Sequence, residues 1–229
     1  MEREDIVVKL KNLSDKRVKE FSSRLIPTLQ KDNILGVKVP ILRNLAKRCY
    51  LENEYLKFIL ILPHQYLEEN LLHAYIIEQI PDFDRCIKHV NDFLPYINDW
   101  STCDTFKPKC FKKNLNELFK YIKIWIKSEH AYTIRYAIVM LLSYYLDDFF
   151  NYELLELVGN IKSEQYYVNM AIAWFFSTAL VKQFDNTYNF LKSKTLIPWV
   201  QNKAIQKARE SFRISDKNKK LLQKLKIKT

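Results

Sequence analysis

Glycine is nearly missing, with 2 residues in a chain of 229. Tight β-hairpins, dinucleotide-binding turns and phosphate-cradling loops all rely on residues that accept positive φ, so this scarcity argues against the folds built around them. Long apolar runs are missing too, since stretches such as Ala137–Leu142 and Ala171–Phe176 fall far short of bilayer length. The amino terminus MEREDIVVKL is charged and has no signal-peptide apolar region. A cytosolic protein is expected. The four cysteines (Cys49, Cys86, Cys103, Cys110) form no C-x-x-C pair and read as reduced packing thiols, although Cys103 and Cys110 sit seven apart in a helical segment and could approach one another. The four histidines are scattered, none paired at ligand spacing, so no zinc site is expected. No Ser/Gly/Pro-rich linker or low-complexity segment interrupts residues 1–229, which read as a single domain.

What is present is helical periodicity and a one-sided charge. Apolar positions recur at helical spacing over 3–12, 16–26, 39–50, 53–61, 65–79, 82–96, 99–107, 114–128, 131–146, 150–161, 164–182, 185–193, 196–211 and 216–226. Pro40, Pro81 and Pro198 fall at or near helix starts, and Asp15, Ser163 and Ser215 or Asp216 stand where N-caps belong. The one long connection runs from Pro27 to Lys38 and contains Gly36. Short helices with brief connections predict a globular bundle or an α-solenoid of HEAT-like repeats, a superhelix of antiparallel pairs. The segments TIRYAIVMLLSYYL and VNMAIAWFFSTAL are apolar around most of their circumference and belong to an inner layer.

The charge is concentrated at one end. From Lys192 to Thr229 there are 12 basic and 2 acidic residues, which accounts for +10 of the net +11. In this region Trp199, Ala204, Ala208 and Phe212 recur as an apolar stripe beside Lys203, Lys207 and Arg213. A packed helix turning lysines outward suits a phosphate backbone, though a basic terminal block is also an ordinary solvated face.

Four positions break the packing pattern. Arg135 has Ala131, Ile138, Val139 and Leu142 on its own face, and a guanidinium cannot shed its charge there. It forms a structural ion pair, snorkels to an edge, or holds a phosphate. Trp100 and Asp104, four apart in NDWSTCDTF, project from one face of a helix that must stop near Pro108, and Asp104 is a candidate partner for Arg135. Trp174 shares a stripe with Tyr167, Met170, Ala171 and Thr178 at the margin of a richer apolar face. Two aromatics, a carboxylate and an arginine suit a cation flanked by phosphates.

Taken in order, LGVKVPILRNLAK, NDWSTCDTF, IRYAIVMLL, MAIAWFFSTAL and KAIQKARESFRIS resemble the successive blocks of the AlkD-type DNA alkylation repair family, HEAT-like repeat alkylpurine DNA glycosylases, over nearly the whole chain. The resemblance implies a monofunctional hydrolase of base excision repair, acting on cationic N3- or N7-alkylated purines in double-stranded DNA without flipping the base into a pocket. It places the catalytic aspartate on Asp104, the lesion-facing tryptophans on Trp100 and Trp174, and the essential arginine on Arg135. Lys203, Lys207, Arg209 and Arg213 would hold the DNA backbone on a concave basic face, with Lys38 and Arg43 on the opposite strand. It implies neither a metal nor another cofactor, and a monomer away from membranes. Ile134 and Ser177 stand where the family often has basic residues, which weakens phosphate contacts locally. The alternatives are a non-catalytic HEAT-repeat protein that binds distorted or branched DNA, and a protein-binding scaffold.

Overall fold

The computed structural model describes residues 2–53 and 55–228. Among them the regular structure is helical throughout, with fourteen α-helices, short 3-10 turns and no strand. The chain divides into two compact units, Met1–Leu115 and Asn116–Thr229. The first holds α1 (Arg3–Asn12), α2 (Lys16–Leu25), α3 (Val39–Leu51), α4 (Leu56–Ile59), α5 (Leu67–Ile77), α6 (Phe83–Phe93) and α7 (Trp100–Thr105). The second holds α8 (Leu115–Trp125), α9 (Ala131–Tyr144), α10 (Glu153–Gly159), α11 (Tyr166–Lys182), α12 (Phe184–Lys192), α13 (Pro198–Glu210) and α14 (Asp216–Gln223). Alternate helices pack on one another within each unit, α3 on α5 on α7 and α9 on α11 on α13, which agrees with the expected α-solenoid of HEAT-like repeats. The helix expected at 53–61 shrinks to the single turn α4, and Glu54 lies outside the described residues. Among the described residues no helix is long and apolar enough to cross a membrane.

The first unit is organised around α5, every residue of which is buried, Glu68, Glu69, Asn70 and His73 included. Its carboxylates hold the backbone of the connections around it. Glu68 accepts the backbone N–H groups of Leu35 (2.9 Å), Gly36 (2.6 Å) and Val37 (3.2 Å), the strand-like run that leads into α3. Gly36 is required there, because φ is +92° and a Cβ would lie 2.5 Å from both the Asp15 carbonyl oxygen and the Lys19 nitrogen. Glu69 accepts Gln65 and Tyr66 N–H groups (3.0 Å each) and a forked pair from Arg3. Burial alone would raise its pKa, but the Arg3 and Tyr66 hydrogen bonds outweigh burial and lower it.

Behind Glu69 two imidazoles share one hydrogen bond, His64 Nε2 to His73 Nδ1 at 2.8 Å, with Phe58 stacked on His64 and Phe93 on His73. Burial holds both neutral, His64 down to about 4 and His73 well below the usual histidine range.

In the second unit, α9, α11 and α13 run parallel. Tyr132 meets Tyr167 and Tyr166 meets Trp199 at their amino ends, while at the carboxyl ends Gln183 donates to the Leu146 carbonyl. Ala204 and Ala208 pack inward as the apolar stripe predicts, but Trp199 is 40% exposed, and Phe212, beyond the end of α13, is fully exposed. Asp15 and Ser215 cap α2 and α14 as expected. Ser163 does not cap α11. Its hydroxyl accepts the Gln165 N–H in the turn before the helix, and Gln165 takes the cap position.

The neutral histidines make the fold acid-sensitive. As pH falls below about 6.5 the unfolded chain binds protons that the folded His64 and His73 refuse, so stability falls with pH from there to about 4, with about 3 kcal/mol from His64 alone. Urea denaturation at pH 7, 5.5 and 4.5 should show this decline, and a flat profile would contradict the buried neutral pair.

Candidate functional site

α7 is six residues long, too short to hold itself together, and is fixed from outside at both ends. At its start Asp99 is fully buried, and its Oδ1 accepts the Thr102 N–H (2.8 Å) and the Ser101 hydroxyl (2.6 Å). Its Oδ2 is buried with no hydrogen-bond partner among the described residues. Burial raises the Asp99 pKa, with the Ser101 and Thr102 hydrogen bonds opposing it. At its end Glu78, just past α5, accepts the Lys107 N–H through its carboxylate (2.6 Å) and the Lys109 N–H through its carbonyl (3.4 Å), on either side of Pro108. Burial raises the Glu78 pKa against the Lys107 N–H and Arg43, which lower it. Tyr75 adds a hydroxyl contact to Thr105 (3.3 Å).

The result is a rigid stub presenting Trp100 and Asp104, both half-buried, on one face. The Trp100 indole N–H donates to the carbonyl of Leu25 at the end of α2 (3.0 Å). Its ring walls a cavity of about 380 Å³ between α2, α5 and the start of α3, whose apolar rim includes Phe21, Leu25 and Val39. Lys38 is exposed at the mouth, 3.5 Å from Asp15. Flat apolar or cationic groups suit an indole wall with a carboxylate one turn away.

Arg43 is exposed but engaged. Its guanidinium pairs with Glu78 (2.7 Å), lies 3.9 Å over the Tyr75 ring and reaches the Thr105 carbonyl (3.5 Å), bracing the end of α7. A phosphate contact by Arg43 would compete with those partners.

In the second unit Arg135 is 6% exposed, and its Nη1 donates to the Tyr167 carbonyl in the first turn of α11 (2.7 Å). That bond fixes the guanidinium against the neighbouring helix. Trp174 is half-buried on the stripe of α11 that also carries Tyr167, Met170 and Thr178, while Val168, Ile172, Phe175 and Ala179 on its other side are buried. Ser177 is buried and its hydroxyl returns to the Trp174 carbonyl (2.8 Å), so a basic residue at this position would have to leave the core. Along α13 and the turn after it, Lys203 and Lys207 are half-buried and Arg209 and Arg213 exposed.

Two residues central to this arrangement escaped the sequence reading. Asp99 carries a local signal, an aspartate three residues before the Thr102 N–H it caps. Glu78 carries none, because the backbone it holds lies 29 residues away.

Asp99→Ala should lower unfolding free energy by about 2 kcal/mol, having removed a buried cap. Asp99→Asn should cost less than about 1 kcal/mol at pH 7, since it caps equally well without a buried charge. Equal losses in the two variants, read from denaturation midpoints, would show that the carboxylate charge itself holds α7.

Residues 6–211 match the family model described as DNA alkylation repair enzyme. No curated protein matches the chain at a significant level. The matched span runs from α1 through α13 and contains Trp100, Asp104, Arg135 and Trp174. With most of its length in that match, the chain belongs to the DNA alkylation repair enzyme family, and DNA is its partner.

Proposed function

We propose that the protein is a monofunctional DNA glycosylase that hydrolyses the N-glycosidic bond of cationic N3- or N7-alkylated purines in duplex DNA, leaving the base outside any enclosing pocket. The observation that carries this reading is α7, braced at both ends by buried carboxylates so that one tryptophan and one aspartate stand together on its surface. Family membership supports the choice of substrate polymer.

The residue types fit the reaction. An alkylated purine already carries positive charge, so it departs with the C1′–N bonding pair as a neutral base and needs no general acid. Positive charge then builds on the deoxyribose, where the Asp104 carboxylate stabilises it and orients the water that adds to C1′. The proton of that water passes to Asp104 or to solvent. Trp100 and Trp174 offer ring faces to the cationic nucleotide, and Arg135 holds a phosphate beside it. Lys38, Arg43, Lys203, Lys207, Arg209 and Arg213 hold the remaining backbone, and the whole of residues 1–229 works as one repair domain, as a monomer.

The test is release of free 7-methylguanine and 3-methyladenine from methylated duplex DNA. Wild-type protein should release base with time, and Asp104→Asn should slow release at least about 100-fold while leaving DNA affinity within a few fold. Wild-type release no faster than spontaneous loss, with DNA binding intact, would favour a non-catalytic binder of distorted DNA. Trp100→Ala combined with Asp104→Asn, both on α7, should cost less than the sum of the single effects, as expected of groups acting on one transition state.

A further inference from the structure

A line of rings that this chemistry does not use runs along the amino ends of α9, α11 and α13. His130 and Tyr132 lie with centroids 6.2 Å apart, Tyr132 and Tyr167 5.8 Å, Tyr167 and Tyr166 5.2 Å edge-on, and Tyr166 and Trp199 5.8 Å. Burial falls steeply along it, for Tyr132 is 8% exposed but Tyr166 58% and Trp199 40%. The middle of the line is anchored where Arg135 donates to the Tyr167 carbonyl. At the outer end Lys203 holds its Nζ 5.7 Å over the Trp199 ring, and that Nζ donates to the neutral amide of Gln206 (3.1 Å).

Packing does not account for this outer end. Single exposed apolar residues are ordinary, but here two large rings touch each other, stay wet, and are backed by half-buried Tyr167 and buried Tyr132. They also stand on the border of the segment that carries nearly all of the surplus positive charge. Exposed rings beside an ammonium group match a nucleobase and its phosphate, because every base has a π-face and every nucleotide carries an anion. A neutral apolar peptide would leave Lys203 unmatched.

We propose that Tyr166 and Trp199 form a stacking platform for an unpaired nucleobase of DNA, with Lys203 on the adjoining phosphate. The proposal rests on DNA being the partner and not on the excision chemistry, so it stands or falls separately from Asp104. It adds a preference for DNA in which some bases lack partners, such as gaps or frayed ends.

The test compares two undamaged DNAs of one sequence, an intact duplex and the same duplex with a three-nucleotide gap, at fixed salt. Wild-type protein should bind the gapped DNA about 10-fold more tightly. The double variant Tyr166→Ala/Trp199→Ala should bind both alike, at the wild-type affinity for intact duplex, and Trp199→Phe should keep most of the preference. A 2-aminopurine in the gap should be quenched by wild-type protein and not by the double variant. Both side chains are exposed, so the variant should melt with wild-type cooperativity, which circular dichroism checks. The platform is overturned if wild-type protein shows no preference for the gap, if the variant keeps it, or if the variant weakens both DNAs equally. Failure of wild-type protein to bind either DNA would overturn the platform together with the DNA assignment, whereas loss of base release alone would leave the platform standing.

Discussion

One carboxylate, that of Glu68, receives three successive backbone N–H groups from Leu35, Gly36 and Val37, and much of the first unit depends on it. A chain with two glycines has few positions suited to left-handed turns, and buried N–H groups without partners are costly. Side chains of α5 and its flank supply the missing acceptors instead. Glu68 sets the entry to α3, Glu69 the entry to α5 itself, and Glu78 the exit from α7. Each acid is buried and each spends its lone pairs on the main chain or on an arginine, which is the condition under which a buried charge is tolerated.

The candidate site inherits its rigidity from this arrangement. α7 alone has too few hydrogen bonds to persist, yet Asp99 holds its first turn, and Glu78 with Arg43 holds its last. Trp100 is tied to α2 by its indole nitrogen as well. Site side chains thus stand on a short element whose position is set by residues elsewhere, the general requirement for groups that must meet a developing charge without rearranging. In the second unit the same end is reached differently, by seating Arg135 against the carbonyl of a neighbouring helix in a layer of three parallel helices.

The helices were legible in the sequence because their signals are local. Apolar stripes three and four residues apart, prolines near the starts of α3 and α13, and the caps Asp15 and Ser215 located them closely. The partly exposed stripe of Trp174 followed from the same periodicity. What periodicity could not give was the use of charged residues at a distance. Arg43 is a surface cation as it reads, but its partners, Glu78 35 residues on and the Tyr75 ring, leave no local signal. α5 contains Glu68, Glu69 and His73, a pattern of a half-solvated helix, and yet it is wholly buried because its polar groups find partners contributed by other segments. Phe212 errs in the opposite direction, since it continues the stripe of α13 by count but lies beyond Glu210, where the helix has ended.

The hydrogen bond between His64 and His73 also records how the first unit opens. The proton between the two imidazoles is enclosed by Phe58 and Phe93, and both rings are buried away from water. Its exchange with deuterium therefore requires the helices around it to separate, so an imidazole N–H resonance from this pair would act as a clock for opening of the core that positions α7.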